Sequence, residues 1–168
     1  RIISLNRRLV TAARQGVAGA AEDLDLVVAV RDTIEALRSH EKVRGCKVDL
    51  LVEGAHPVRL HPLLVHQIVS NLVVNSAEAT GGSGRIEVRI ERHGESIALE
   101  VHDDGPGIPA ERRTLLFDAL ASTKANGSGL GLFSVKACAT ALGGAVVIGD
   151  SPFGGACFRV LLPVTGAA

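Results

Sequence analysis

An irregular stretch of about 25 residues, from Asp103 to Ser128, constrains the fold of this chain more than any other feature. It joins a segment that alternates between apolar and polar residues to a segment with helical spacing. Loops longer than about 12–15 residues are uncommon in compact domains unless they are functional or disordered. We therefore expect either a lid over a functional site or a disordered segment, held between a strand and a helix.

The rest of the chain predicts a mixture of helices and strands. Apolar spacing, with proline and glycine at the ends, predicts helices over 1–20, 27–44, 62–80 and 129–142. Alternation predicts strands over 47–53, 58–60, 85–91, 96–101, 145–149 and 156–162, after an extended entry at 23–26. This mixture predicts the α+β class, with helices on one face of a sheet.

Length and charge exclude several classes of protein. The 168 residues are 46% apolar, enough for one domain with a sizeable core. The 18 basic residues are matched by 18 acidic ones, so the chain lacks the excess of positive charge that is typical of nucleic-acid-binding domains. No apolar stretch is long enough to span a membrane, and the chain begins with Arg1. We expect a cytoplasmic fragment of a longer protein, with any membrane anchor outside it.

The three cysteines predict free thiols. Cys46, Cys138 and Cys157 lie far apart and form no Cys-x-x-Cys pair, so their spacing predicts neither a zinc site nor a disulfide framework. Each lies among apolar residues, which favours buried thiols in a reducing compartment.

The predicted helix 62–80 carries a polar group of side chains. Asn71 and Asn75 are four residues apart and therefore project from one face, with Glu78 a turn further along. Two amides and a carboxylate can hold a hydrated Mg²⁺ ion, which prefers oxygen ligands. The alternative is that these are ordinary solvent-facing side chains.

A second motif follows the strand that ends near Val101. Gly105 and Gly107 allow the backbone to turn tightly and to approach a ligand closely. Asp103, at the strand end, would point into the space between sheet and helices, where it could accept a hydrogen bond from the amine of adenine. Guanine has a carbonyl there and would be rejected. An ordinary Asp-Gly turn is the alternative.

The third motif is the glycine-containing run 122–132, which precedes a predicted helix. Free N–H groups at a helix N-terminus bind anions, and glycines let a phosphate approach them. Lys124 could add a positive charge against a γ-phosphate. The run has neither the order of a P-loop nor that of a dinucleotide fingerprint, and alone it is a weak signal.

Together, in this order, the motifs resemble the GHKL superfamily of ATP-binding domains, which includes gyrase-type and Hsp90-type ATPases, histidine kinases and MutL. Residues 71–76 look like its N box and residues 103–108 like its G1 box. Leu116-Phe117 with residues 122–124 is similar to the F box, and residues 127–132 closely match the G2 box.

This resemblance implies a Bergerat-type two-layer α/β sandwich, with a mixed sheet, helices on one face and a long ATP lid over 105–128. Residues 21–168 would be the ATP-binding catalytic domain, and residues 1–20 the tail of an upstream dimerisation helix. ATP and Mg²⁺ are the implied cofactors, with Asn75 as the metal ligand. The implied nucleotide-binding residues are Asn75, Glu78, Asp103, Gly105, Gly107, Ile108, Ser122, Thr123, Lys124, Gly127, Ser128, Gly129, Leu130, Gly131 and Leu132.

Asn71 separates subfamilies of this superfamily. Gyrase-type and Hsp90-type ATPases have a glutamate there as general base, whereas an amide takes no proton at neutral pH. The resemblance therefore implies a sensor histidine kinase, with Asn71, Asn75 and Lys124 as catalytic residues. Its implied partners are its own dimerisation and phosphotransfer helices, a response regulator and, in the whole protein, a second copy. A GHKL-type ATPase or clamp and a degenerate adaptor module are the alternatives.

Two departures from the family pattern are visible. The motif of the phosphoacceptor histidine is missing, since His40-Glu41 has no proline after it and is interpreted as a surface pair within a helix. We expect the acceptor histidine upstream of Arg1. In addition, Ala156 follows Gly155, where relatives usually carry threonine or serine, which predicts one hydroxyl contact fewer near the adenine.

Overall fold

The computed structural model describes residues 22–54, 57–117 and 131–164, apart from the side chains of Leu24 and Pro57. The helix predicted over residues 1–20 lies outside these ranges. The helices are α1 (Leu26–Leu37), α2 (Pro62–Ala79), α3 (Ala110–Arg113) and α4 (Gly131–Ala141), with a 3-10 turn at Leu115–Phe117. The strands are β1 (Glu22–Asp25), β2 (Lys47–Glu53), β3 (Pro57–Leu60), β4 (Arg85–His93), β5 (Ser96–Asp103), β6 (Ala145–Asp150) and β7 (Ala156–Pro163).

The main sheet has five strands in the order β2-β4-β5-β7-β6. β2 and β4 are parallel, and the other neighbours are antiparallel, so the predicted mixed sheet is confirmed. β1 and β3 form a separate antiparallel pair. Helices α1, α2 and α4 pack on one face of the main sheet, where alternate strand residues such as Val88, Leu99 and Val101 are fully buried. The α+β class and the two-layer arrangement are confirmed.

α1 ends earlier than its apolar spacing predicts. Asp25 caps its start, since Oδ1 accepts from the amides of Val27 at 2.9 Å and Val28 at 3.3 Å. The helix stops at Leu37 rather than at residue 44, because the following turns bond amides to carbonyls three residues back and thereby bury Val43. The pair His40-Glu41 therefore lies in these turns and not within a helix.

α2 agrees closely with its prediction. Pro62 occupies the first turn, where its missing N–H costs nothing. Gly81 and Gly82 follow the helix with φ of 69° and 79°, a region that glycine adopts without strain. The apolar side buries Ile68, Leu72 and other residues against the sheet, which leaves a half-buried polar side facing away from the core centre.

The stretch predicted as irregular is partly helical. Pro109 precedes the four residues of α3, and the 3-10 turn follows directly. Arg113 ties this segment to its surroundings, because its Nε donates to the carbonyl of Ile108 at 2.9 Å and its Nη2 pairs with Asp150 Oδ1 at 2.6 Å. A four-residue helix has too few residues to show a period in sequence. The predicted lid residues 118–128 lie outside the described ranges.

All three cysteines are free, with Cys138 and Cys157 buried as predicted and Cys46 only partly buried. Within the described residues, no helix combines the length and hydropathy that a membrane crossing requires.

Candidate functional site

The carboxylate of Asp103, at the end of β5, has one satisfied and one open oxygen. The residue is only 1% exposed. Its Oδ1 accepts from the backbone amides of Gly105, at 3.0 Å, and Ala156, at 3.1 Å. Its Oδ2 is buried without a hydrogen-bond partner among the described residues. The carboxylate is thus held in a fixed orientation with one acceptor left for a ligand.

An open acceptor of this kind is energetically expensive. A buried polar atom without a partner costs about 1–3 kcal/mol, and more when it carries charge. Two backbone amides reduce the cost at Oδ1 but contribute nothing at Oδ2. A ligand that donates an N–H to Oδ2 would recover this energy. Asp103 is therefore suited to recognise an amine or amide donor.

Two glycines let the backbone pack directly against this carboxylate. A Cβ atom on Gly155 would lie 2.2 Å from Asp103 Oδ1 and 2.4 Å from the Asp103 carbonyl oxygen, closer than any real contact. A Cβ atom on Gly105 would lie 3.0 Å from Oδ1 and 3.2 Å from the carbonyl oxygen of Ala79. Gly107 has a φ of +75°. Any larger residue at position 155 would displace the carboxylate.

Gly155 is a site residue that the motifs did not single out. It lies in the β6–β7 turn, 52 residues after Asp103 by their sequence numbers, and strand pairing brings the two together. The signals in the sequence are the pair Gly154-Gly155 between two predicted strands and the departure from the family pattern at Ala156, directly after Gly155.

The polar side of α2 borders the same region. Ala79, four residues after Asn75 and so on the same side of the helix, lies against Gly105 in the loop after β5. At the other end, Asn71 Oδ1 is 3.7 Å from the Cβ position of Gly131, the first residue of α4. Asn71 Nδ2 is buried without a partner among the described residues. The loop after β5, the polar side of α2 and the start of α4 are therefore neighbours.

Glu78 has a partner of its own. It forms an ion pair with Lys42, which ties α2 to the turns after α1. The hydrogen bond to Glu78, followed by its charge, raises the pKa of Lys42. Both side chains are partly exposed, so the pair contributes little to stability. The predicted contact of Glu78 with a nucleotide stays a prediction.

The structure describes some of the other predicted site residues and not the rest. Ile108 and Leu132 are half-buried and pack against the core, at the loop after β5 and at the start of α4. Gly131 is the first residue of α4, and the amides of that first helical turn have no partner within the helix. Ser122, Thr123, Lys124, Gly127, Ser128, Gly129 and Leu130 lie outside the described residues.

Comparison with known proteins gives consistent matches. Residues 61–166 match the family described as histidine kinase-, DNA gyrase B-, and HSP90-like ATPase. The nitrogen regulation protein NtrY of Azorhizobium caulinodans is 34% identical over 151 residues, covering 84% of this chain and 19% of NtrY. The chain spans about a fifth of the length of the curated relatives that it matches first, 19% and 22%.

Solved structures agree with the sequence matches. The mycobacterial sensor histidine kinase MprB has a TM-score of 0.75 and 26% identity, covering 85% of this chain and 97% of that one. Full-length ShkA, solved in complex with AMPPNP, has a TM-score of 0.76 and 28% identity, covering 88% of this chain and 32% of that one.

Proposed function

Since this chain belongs to the family of histidine kinase-, DNA gyrase B- and HSP90-like ATPases, we propose that it binds Mg-ATP and transfers the γ-phosphoryl group to a histidine outside these residues. It would act as the catalytic domain of a sensor histidine kinase, which is the class named for its relatives TmoS and ZraS and for its structural neighbour MprB. The observation that carries the proposal is the open, buried Oδ2 of Asp103.

Asp103 supports adenine recognition. The exocyclic amine of adenine donates the hydrogen bond that Oδ2 lacks, whereas guanine presents a carbonyl oxygen that would repel the carboxylate. Sites built around a buried hydrogen bond reject an analogue that cannot form it by large factors. The close backbone packing of Gly105 and Gly155 fixes Oδ1, which supports a defined direction for Oδ2. We therefore expect ATP to bind far more tightly than GTP.

Asn75 is the residue that would hold Mg²⁺, through its amide oxygen. The half-buried oxygen-bearing face of α2 fits this ion, which takes one or two protein ligands and completes its shell with water and phosphate oxygens. When bound, Mg²⁺ neutralises charge on the phosphates. The amides at the start of α4, the glycines at 127–131 and Lys124 would bind the phosphate oxygens.

Asn71 supports a histidine as the acceptor. Its amide cannot remove a proton from water, so the neighbourhood of the γ-phosphate lacks a general base at this position. A neutral imidazole already has a free lone pair and needs no such base. Histidine-bearing dimerisation helices, a second copy of the protein and a response regulator are the proposed partners.

Binding calorimetry with Mg-AMPPNP tests the pocket. Asp103→Asn keeps an oxygen for the two backbone amides but turns an N–H towards the adenine amine, so we expect affinity to fall by about 100-fold or more. Asp104→Asn is the matched control, because Asp104 is the adjacent residue and its exposed carboxylate accepts a hydrogen bond from the amide of Arg85 at 2.9 Å. Wild-type protein should also bind AMPPNP far more tightly than the guanine analogue.

Equal affinities of the wild type and Asp103→Asn would contradict the pocket. Rapid steady-state hydrolysis of ATP by the 168-residue chain alone would contradict the kinase assignment and favour an ATPase or clamp.

A further inference from the structure

Three side chains with metal-binding atoms meet on the outer face of the sheet, opposite the helices. Glu100 and His102 lie on β5, and Cys157 lies on β7. His102 and Cys157 are directly paired in the strand register. All three residues are buried, with exposed fractions of 8%, 4% and 5%.

The donor atoms of these residues converge. His102 Nε2 lies 2.7 Å from Glu100 Oε2 and 3.8 Å from Cys157 Sγ, and one donor atom of each residue lies within 4.8 Å of the others. Tetrahedral Zn²⁺, with bonds of about 2.0–2.3 Å, places its ligand atoms about 3–4 Å apart. The present separations therefore need to change by only about 1 Å or less to hold the ion.

Neighbouring groups orient these donors and satisfy both oxygens of Glu100, but not every atom of the other two residues. Arg159 Nε donates to the other oxygen of Glu100, which leaves Oε2 facing His102. Ligating carboxylates are commonly held in this way by a further hydrogen bond. His102 Nδ1 is buried without a partner among the described residues, and Cys157 Sγ has only the long contact to the imidazole. The hydrogen bonds of Glu100 therefore leave one imidazole nitrogen and the thiol available to a further ligand.

Both acidic and basic groups surround the cluster. Burial raises the pKa of Glu100, but hydrogen bonds from His102 and Arg159 outweigh it and lower the pKa below the ordinary value. Burial raises the pKa of Cys157 to about 11, so without a metal the thiol keeps its proton. Arg159 and Arg89 face the cluster and oppose a cation, and Glu87, which pairs with Arg89, is shared with Arg85.

We propose that Glu100, His102 and Cys157 form a binding site for Zn²⁺ or a similar thiol-seeking divalent cation, with water as a fourth ligand. Sulfur and imidazole donors select such ions over Mg²⁺, which takes oxygen ligands. The spacing of the cysteines does not predict this site, because the ligands come from two strands that pair in space. The site is independent of the nucleotide proposal, since Asp103 supplies no ligand to it.

Titration of the metal-free, reduced 168-residue chain with Co²⁺ tests this site. A thiolate bound to Co²⁺ gives an intense near-ultraviolet charge-transfer band, which we expect at one equivalent and which added Zn²⁺ should abolish. Cys157→Ser should remove the band, and His102→Gln should weaken Co²⁺ binding by about 100-fold. Cys46→Ser is the matched control, since Cys46 is the more accessible thiol and lies outside the cluster.

The Co²⁺ titrations of the wild type and the variants either support or overturn the proposed metal site. A band that persists in Cys46→Ser and in Asp103→Asn but is lost in Cys157→Ser supports the site, whatever happens to nucleotide affinity. A wild-type chain without a band overturns it, as does a band lost in Cys46→Ser and retained in Cys157→Ser. Thermal unfolding of each variant checks that it is folded, and Cys157→Ala replaces Cys157→Ser if the hydroxyl is not tolerated.

Discussion

Buried carboxylates on the two faces of β5 differ in how many hydrogen-bond partners they have. On the helix-facing side, Asp103 is 1% exposed and has two backbone amides at one oxygen and no partner at the other. On the outer face, Glu100 is 8% exposed and has both oxygens engaged, one by Arg159 and one by His102. Glu87 on β4 likewise lies between Arg85 and Arg89.

This contrast separates stabilisation from recognition. Folding leaves few buried polar atoms unpaired, because each one costs free energy. The outer-face glutamates follow this rule: Glu100 joins β5 to Arg159 on β7, and Glu87 pairs with Arg85 and Arg89 along β4. Asp103 violates it at Oδ2, while the backbone of Gly105 and Gly155 packs closely around Oδ1. An unpaired acceptor on a rigid strand end is thus the feature that distinguishes a recognition site from a structural ion pair.

The largest expected effect comes from adding a methyl group at Gly155, against the carboxylate of Asp103. In Gly155→Ala the new methyl group would lie 2.2 Å from Asp103 Oδ1 and 2.6 Å from the amide nitrogen of Gly105. The carboxylate must move, so we expect Mg-AMPPNP affinity to fall by at least about 100-fold and the free energy of unfolding by about 1–3 kcal/mol. Calorimetry and urea unfolding measure the two effects.

Gly149→Ala is the control for this variant. Gly149 lies in β6, where an added Cβ meets nothing within 4 Å. Nucleotide affinity should stay within about twofold of the wild type. If Gly155→Ala binds nucleotide as the wild type does, the carboxylate does not need this glycine, and the contrast between the two faces loses its basis.

Removing a charge from the outer face should affect stability instead. Glu100→Gln leaves Arg159 and His102 without their shared carboxylate, so we expect the free energy of unfolding to fall by about 1–3 kcal/mol. Urea unfolding in the presence of a chelator measures this loss without any bound metal. Mg-AMPPNP affinity should change less than about twofold, because Glu100 points away from the pocket. A large loss of affinity would contradict the separation of the two faces.

The outer-face pairs also predict a pH dependence. Burial raises the pKa of Glu87, but the hydrogen bonds that it accepts from Arg89 and Arg85 outweigh burial and lower this pKa below its ordinary value of 4.5. The pKa of Glu100 is lowered as well. Their stabilisation is complete above the unfolded-state pKa and is lost as pH falls through the lower folded-state pKa. Urea unfolding from pH 6 down to about pH 3 should show this loss, and the double variant Glu87→Gln with Glu100→Gln should show a flatter curve.

Local signals made much of the fold predictable. β2 was predicted over its observed range, and α2 to within one residue, because alternation, Pro62 and the glycines after the helix act over a few positions. The end of α1 was missed, because burial of Val43 overrides helical spacing there.

The site was predictable where its residues are close in sequence. Asp103 and Asn71 were found from short motifs, and each has a buried unpaired atom in the structure. Gly155 was noted only as the glycine before Ala156, and its contact with Asp103 and the outer-face cluster were not found, because they depend on the register between β5 and β7. Cys157 and His102, for example, are 55 positions apart. Pairing over such separations leaves no pattern in a single sequence.

The smallest expected effect concerns Phe153, whose ring covers part of the outer face. The guanidinium of Arg85 lies 4.0 Å from the ring centroid, and the His102 ring meets it edge-on at 6.3 Å. Phe153→Ala removes a partly exposed cation–π contact and its apolar area, so urea unfolding should show a loss of about 1 kcal/mol. Phe153→Leu keeps most of the apolar area, so the difference between the two variants isolates the contribution of the ring.

Phe153 also lies in the turn that contains Gly155, which makes it a sharp test of the contrast between the faces. Two hydrogen bonds close the turn. The amide of Ser151 donates to the carbonyl of Gly155 at 2.9 Å, and the amide of Phe153 donates to Ser151 Oγ at 3.2 Å. Neither bond needs the Phe153 ring. If these backbone bonds alone fix Gly155, Phe153→Ala should leave Mg-AMPPNP affinity within about twofold. A tenfold loss would mean that packing on the outer face helps to position Asp103, so that stability and recognition are coupled through this turn.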